Sequence, residues 1–416
     1  MRTEADAVSA RTRREQLSLT RIGRESGPKF ARAARNVSYV CAALLGLGYA
    51  VATITFAVQG DYLAFDFKGT LWDPAIAIRE GASPYPAPTE REVDVGNPAL
   101  YPPLLMLGVT PLTFLPWPVG AAIWIGVLGL SVVAALYALD VRDWRCYVFA
   151  LIASPTVIGL GLANAGLLLV PLVALAWRWR EQWARCGIIV GLAIASKLFL
   201  WPLLVWLLGT RRYRALGVAM LACGLGVLLP WALIGFSGLS AYPDLLRLAE
   251  ELYAGHSYSV ATMLSAIDDD PSFAVDAVLA LGLAIAVASF YVGRRTPDCP
   301  TAISLALLAA VLGSPIVWPH YYALLLVPIA IARPRFAGLW VALSLFWVAN
   351  RIEKKLFTES DLEAREVCCP PDGVHVGVWL FNHSPPALWP AVGYASVGVV
   401  LVAMAISSTR RSSAPA

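Results

Sequence analysis

Charged side chains are scarce in this sequence: Asp, Glu, Lys and Arg make up 14% of its 416 residues, whereas 58% are hydrophobic. An average globular domain carries about 25% charged residues. Runs of about 18 or more apolar residues with few charges are membrane spans by default. The composition therefore excludes a soluble protein, and it also excludes disordered, collagen-like and secreted disulfide-rich chains.

Several sequence motifs with well-defined chemistry are also missing. The chain contains no Cys-x-x-Cys, no His-Glu-x-x-His and no phosphate-cradling GxxxxGK sequence, which argues against a metalloprotease and a P-loop motor. No ligand residues cluster at metal-binding spacing, so no metal or cofactor is predicted. The cysteines predicted on the outer side are the adjacent Cys368 and Cys369, for which a strained disulfide stays open.

Apolar blocks separated by short basic clusters make up the rest of the chain. Residues 1–36 form a polar, Arg-rich tail that we predict to be disordered and cytoplasmic. The apolar run 37–58 is too long and begins too late for a signal peptide, so it predicts an uncleaved first span. The positive-inside tendency places the later basic clusters in the cytoplasm as well. A single transmembrane domain is predicted over 37–407. It contains three outer loops, at 59–117, 236–272 and 351–387, and a C-terminal cytoplasmic tail follows at 408–416.

Two apolar blocks, 146–177 and 186–209, have basic residues at both ends and must therefore go out and come back. The first block has room for two short helices, whereas for the second a single crossing stays open beside a hairpin of two half-depth helices. A short Pro-rich stretch, 101–115, is predicted as a helix at the outer interface. The other predicted spans are 118–139, 215–235, 273–292, 301–313, 321–332, 336–350 and 388–407. The sequence thus predicts an all-α polytopic membrane protein of about 12 helices with both termini in the cytoplasm.

This topology separates the charges by side. Most basic residues lie inside, most acidic residues lie in the outer loops, and all four histidines fall on the outer side: His256, His320, His375 and His383. Because the topology was built from the basic residues, the acids and histidines support it independently.

Two charged residues stand out before any family is considered. Asp66 follows the first span closely, where a carboxylate can act as a general base, although a solvated loop acid or a helix N-cap is the simpler interpretation. Lys197 lies inside an apolar block and is interpreted as a residue near the middle of a membrane helix. A charge there costs roughly 2.5 to 3.5 kcal/mol, so Lys197 should face a polar cavity or an anionic partner. A buried structural pair, for instance with Asp276, is the alternative for Lys197.

A series of short motifs occurs in a fixed order between Asp66 and Tyr321. The motifs are Asp66-Phe67, Gly81-Ala82-Ser83-Pro84-Tyr85, Tyr101-Pro102-Pro103-Leu104, Ser154-Pro155, Gly161-Leu162-Ala163-Asn164, Lys197 followed by Arg211-Arg212-Tyr213-Arg214, and Ser314-Pro315-Ile316-Val317-Trp318-Pro319-His320-Tyr321. Together they resemble glycosyltransferase family 87, the membrane enzymes that use polyprenyl-phosphate sugars. The chain departs from the family at Leu162, where members often carry glutamine.

The resemblance implies a GT-C fold whose first outer loop carries an acidic catalytic residue, and Asp66 occupies that place. It also implies an actinobacterial envelope enzyme in the plasma membrane, with its active site on the extracytoplasmic face. The donor would be a polyprenyl-phosphate sugar, in which mannose is the first candidate for the sugar and arabinose the alternative. The acceptor would be a glycolipid or polysaccharide. The other expected partners are membrane lipids, which the basic tail contacts, and nucleic acid is not expected.

Transfer from a lipid phosphate needs a base for the acceptor hydroxyl and cations or donors for the leaving phosphate. Asp66 is the candidate base of an inverting transfer. The candidates for binding donor phosphate or sugar are Lys197, His320, Tyr321, Arg79, His256, Asn164, Tyr85 and Tyr101. A lipid-linked sugar transporter or flippase is the alternative from another class, and an assembly scaffold without catalysis is a third.

Overall fold

The computed structural model describes residues 34–60, 62–89, 97–253, 257–264, 271–342, 393, 395, 398, 399, 402 and 403. Regular structure in these ranges is entirely helical. The tail 1–33, the outer loop from 351 and most of the predicted last span lie outside the described residues.

Besides the helical residues 393, 395, 398, 399, 402 and 403, seventeen α-helices with defined bounds are numbered here in chain order. They are α1 (Ala34–Gln59), α2 (Phe65–Phe67), α3 (Asp73–Arg79), α4 (Leu104–Val109), α5 (Trp117–Ala138), α6 (Trp144–Leu151), α7 (Ser154–Gly161), α8 (Leu169–Arg178), α9 (Trp183–Ser196), α10 (Pro202–Gly209), α11 (Tyr213–Leu233), α12 (Tyr242–Tyr253), α13 (Val260–Leu264), α14 (Pro271–Arg295), α15 (Pro300–Leu312), α16 (Leu326–Ala332) and α17 (Gly338–Val341).

Four of these helices are long and apolar enough to cross a membrane: α1, α5, α11 and α14. They coincide with four predicted spans, because the ends of a long apolar run are visible in the sequence where charged residues begin. Helices α6 and α7 are bent by 58° and act together as one further candidate span. The remaining apolar helices are shorter, so about 12 spans, the GT-C fold and cytoplasmic termini remain predictions.

The block 146–177 folds as a hairpin. Helices α6 and α7 run one way, a 3-10 turn over Ala165–Leu168 reverses the chain, and α8 returns. Arg178, at the end of α8, donates a 2.6 Å hydrogen bond to Asp140, which follows α5. The two ends of the block therefore lie at the same end of the molecule.

The block 186–209 is also a hairpin and not a single crossing. Helix α9 ends at Ser196, Lys197 adopts an extended conformation, and a 3-10 turn over Leu198–Leu200 leads into α10. Beyond α10, Arg212 donates to the main-chain oxygen of Arg180 at 3.0 Å. The interpretation of Lys197 as a mid-helix residue is wrong, because the helix stops one residue before it and Lys197 lies at the tip of the hairpin.

Both ends of this second hairpin should face the cytoplasm. In a background whose native cysteines are replaced by serine, cysteines placed by Gln182→Cys and Arg214→Cys, both at exposed positions, should resist a membrane-impermeant thiol reagent in intact cells and react after permeabilisation. As a control, Glu80→Cys in the predicted outer loop should react in intact cells. Labelling of either hairpin end from outside would refute the assigned orientation.

Candidate active site

A cavity of about 620 Å³ lies where the tips of both hairpins meet the segment after α1. This volume is within the range of small-molecule sites. Six of the residues predicted from sequence line it: Asp66, Tyr101, Asn164, Lys197, His320 and Tyr321.

Main-chain hydrogen bonds fix Asp66 against the first hairpin. The amide nitrogens of Asp66 and Phe67 donate to the carbonyl oxygen of Leu162 at 3.1 and 3.3 Å. The Ala64 amide donates to the Gly161 oxygen at 2.8 Å. This anchor uses only the main chain of Leu162 and therefore does not depend on the side chain at that position.

An aromatic cluster holds the same segment from the other side. The ring of Phe67, which is fully buried, stacks on Trp124 at 5.0 Å and on Trp117 at 5.8 Å between centroids. The Trp124 indole donates to the Ala163 oxygen at 2.9 Å. Phe67 thus packs into the core while its neighbour Asp66 faces the cavity.

Two amides contact the Asp66 carboxylate. Its Oδ2 accepts a hydrogen bond from Asn164 Nδ2 at 2.7 Å, and its Oδ1 accepts a longer one from Asn97 Nδ2 at 3.4 Å. Burial raises the pKa of Asp66 above its usual value, and the charge on Lys197 and the two amides only partly oppose that rise. A carboxyl with a raised pKa is a stronger base than an exposed one. The side chain caps neither flanking helix, so the N-cap interpretation is wrong.

Asn164 connects the carboxylate to the lysine. Its Oδ1 accepts from the Gly166 amide at 2.7 Å and from Lys197 Nζ at 3.3 Å, which directs its Nδ2 toward Asp66. A Cβ at Gly166 would lie 2.9 Å from this Oδ1 and 3.2 Å from His320 Cδ2. Glycine suits this position because two site residues pack directly against its main chain.

Lys197 is buried at 3% exposure, with Nζ between two aromatic rings. The distances to the centroids of Tyr101 and Tyr321 are 4.6 and 4.3 Å, within the range of cation–π attraction. Among the described residues, Lys197 forms no ion pair, so the alternative pairing with Asp276 is not formed. Its direct contacts are the neutral groups of Asn164, Tyr101 and Tyr321, while the Asp66 carboxylate acts on it without forming an ion pair, so the ammonium stays available to an anion.

His320 lies in the first turn of a 3-10 helix over Pro319–Leu325 and is 1% exposed. Neither ring nitrogen has a hydrogen-bond partner among the described residues. Buried polar atoms are nearly always hydrogen-bonded, so an unpaired ring in a cavity wall is suited to a ligand.

Two predicted residues lie outside the cavity lining. The guanidinium of Arg79 donates to the Thr113 oxygen at 2.7 Å and lies 5.3 Å from the ring centre of Phe114. The hydroxyl of Tyr85 donates to the main-chain oxygen of Tyr101 at 2.7 Å. Arg79 thus links α3 to the 3-10 helix Thr110–Phe114. Tyr85 binds the main chain of the cavity residue Tyr101. The remaining candidate, His256, lies outside the described residues.

Among the polar residues that line the cavity and that sequence reasoning missed are Asn97 and Glu250. Asn97 is in an irregular segment, and no pattern marks it. Glu250 had a signal, because it lies on the apolar face of the amphipathic helix α12. Among the described residues, no three His, Cys, Asp or Glu side chains gather as metal ligands.

The sequence model of glycosyltransferase family 87 matches residues 99–319, which include Asn164 and Lys197 and end beside His320. The chain belongs to glycosyltransferase family 87. No curated protein matches the chain. Family membership makes this protein a glycosyltransferase, and its long apolar helices make it a membrane protein. Asp66 precedes the matched region, but its main-chain anchor at Leu162 and its amide partner Asn164 both lie within it.

Proposed function

We propose that this family 87 member is an inverting glycosyltransferase of the plasma membrane. It moves a sugar from a polyprenyl-phosphate donor to a hydroxyl of an envelope glycolipid or polysaccharide on the outer face. Mannose is the preferred candidate for the sugar, and arabinose is the alternative. The observation that carries the proposal is the partly buried carboxylate of Asp66, joined to the Lys197 ammonium through one amide, that of Asn164.

Asp66 is the general base. Its carboxylate takes the proton of the acceptor hydroxyl while that oxygen attacks the anomeric carbon, and the bond from this carbon to the phosphate oxygen breaks. The same negative charge stabilises the oxocarbenium-like centre that develops. Since Oδ2 is held by Asn164 at 2.7 Å and the Asn97 contact is longer at 3.4 Å, Oδ1 is the oxygen that receives the proton.

Lys197 and His320 receive the leaving phosphate. The bond pair from the anomeric carbon departs on the polyprenyl phosphate, whose charge the ammonium stabilises. A ring nitrogen of His320 that carries hydrogen supplies a further donor, and no protein group competes for it among the described residues. A phosphate leaving group needs no second carboxylic acid, which agrees with the assignment of one base.

An apolar cavity wall supports a lipid-linked donor. Tyr49, Thr53, Phe56 and Ala57 of α1 line the cavity together with Ile158 of α7. Most of α1 is exposed, so this wall adjoins the surface that faces lipid in a membrane. An isoprenoid chain can lie along α1 while its phosphate reaches Lys197.

A transfer assay with synthetic donors tests the proposal. Purified full-length protein should transfer sugar from polyprenyl-phosphate-mannose, with polyprenyl-phosphate-arabinose as the parallel donor and envelope glycolipids and polysaccharides as acceptors. The product linkage should have the anomeric configuration opposite to that of the donor. Turnover of neither donor would contradict the proposal, and movement of intact donor across the bilayer without transfer would favour a flippase.

The activity should have an acid limb set by Asp66. The base works as the carboxylate, so kcat/KM should fall as the pH drops through the raised pKa of Asp66, at a higher pH than an ordinary carboxyl group would give. The Asn97→Leu variant removes a hydrogen bond that favours the charged form, so its acid limb should move to higher pH. A limb that does not move, or moves to lower pH, in that variant would contradict the assignment.

A further inference from the structure

Helix α12 contributes a separate wall to the cavity. Tyr242, Leu246, Ala249, Glu250 and Tyr253 all line it, and their spacing puts them on one face of the helix. Four of these five residues are apolar or aromatic. Glu250 is the one carboxylate among them, which is unusual on the face that an amphipathic helix buries.

No protein cation neutralises Glu250 within the part of the chain that the structure describes. No hydrogen bond or ion pair of its carboxylate occurs among the described residues, whereas Asp244 on the opposite face pairs with Arg247 at 3.1 Å. Its electrostatic neighbours are the acidic Glu251 and Asp276. A half-buried carboxylate in a cavity wall, without a cation, is available to hydroxyl donors of a ligand.

The charges in the cavity are therefore divided. Lys197 interacts with Asp66 and is held beside Tyr101 and Tyr321, and Glu250 is not among its electrostatic neighbours. The cation serves the phosphate of the donor, while the carboxylate on α12 would repel a second anion. The aromatic ring of Tyr253, in edge contact with Trp318 at 6.0 Å, extends the α12 wall.

We propose that α12 forms the acceptor wall of the cavity and that Glu250 binds hydroxyls of an uncharged sugar. This assignment rests on the proposed function for the donor side, and it selects the acceptor class: a neutral glycan is accepted and a sugar phosphate is rejected. Hydroxyl-to-carboxylate hydrogen bonds are among the stronger kinds in proteins, and they are specific to ligands with donors. Glu250 is in this sense a specificity-determining residue and not a catalytic one.

Equilibrium binding without donor tests the acceptor wall. The probes are octyl α-mannoside below its micellar concentration and the same compound carrying a 6-phosphate, with full-length protein in nanodiscs. Saturating polyprenyl phosphate is present throughout, so that the phosphorylated probe does not bind at Lys197, which lines the same cavity. The wild-type protein should bind the neutral probe at least about tenfold more tightly than the phosphorylated one. Glu250→Gln keeps the size of the side chain and should weaken neutral binding about tenfold while narrowing the discrimination.

The matched control is Asp244→Asn, which also neutralises a carboxylate of α12 but on the exposed face opposite the cavity, and it should bind both probes as the wild type does. The acceptor wall is overturned if the wild type binds the phosphorylated probe as tightly, if it does not bind the neutral probe, or if Glu250→Gln binds like the wild type.

Steady-state transfer separates this failure from failure of the proposed function. Glu250→Gln should raise the KM for acceptor and leave the KM for donor unchanged, and the reverse pattern overturns the acceptor wall while the transfer function stands. Conversely, a wild-type protein that uses neither lipid donor but shows the expected binding pattern overturns the proposed function alone.

Discussion

Replacing Asp66 with asparagine should reduce sugar transfer by about 10³-fold or more, since a positioned general base contributes roughly 10² to 10⁴-fold and this one also stabilises positive charge. The substitution should leave folding intact, because asparagine has nearly the same shape as aspartate and the anchor to Leu162 uses only the main chain. The measurement is the initial rate of transfer in membranes with matched protein levels.

The control for this experiment is Asp73→Asn, the same change in the same outer segment. Asp73 is exposed and does not line the cavity, so transfer should stay near the wild-type rate. Wild-type-like transfer by Asp66→Asn would remove Asp66 from the chemistry. Equal losses in both variants would point to a structural effect of acids in this loop.

Replacing Lys197 with methionine should reduce kcat/KM for the donor by about 10²-fold, because the leaving phosphate loses its cation. Methionine keeps much of the length and apolar volume between the rings of Tyr101 and Tyr321. The loss of the positive charge should also raise the pKa of Asp66 further and move the acid limb of the pH profile to higher pH. A purely structural role for Lys197 would not move that limb.

The matched control is Lys68→Met, which removes an exposed lysine two residues from Asp66. Lys68 does not line the cavity, so both the donor KM and the acid limb should be unchanged. If Lys197→Met retains the donor KM and the pH profile of the wild type, the phosphate is held elsewhere.

The long spans could be predicted from sequence because their signal is local. The predicted runs 37–58 and 118–139 correspond to Ala34–Gln59 and Trp117–Ala138 in the structure. A helix that is apolar on all sides differs from its charged flanks in composition alone, so its ends are visible. The family could be recognised because each of its motifs is a short run of consecutive residues, and the family model matches residues 99–319.

The interior of an apolar block gave no such signal. Residues 183–209 are apolar almost throughout, so periodicity did not show that α9 ends at Ser196 and that Lys197 occupies a turn. Arg79 and Tyr85 lie outside the cavity lining for another reason: both are in motifs near Asp66 in sequence, but packing directs their side chains to Thr113 and to Tyr101. Tertiary packing decides which side chains of different helices come into contact. A single sequence does not give the distances between residues that are far apart in the chain.

The carbonyl of Leu162 gives the base a support that is independent of the side chain at that position. Evolution can therefore vary residue 162 without displacing Asp66, and that side chain also lines the cavity. Leucine at this position contributes an apolar side chain to the wall. A change of the side chain at 162 would therefore alter the cavity wall and leave the main-chain anchor of Asp66 in place.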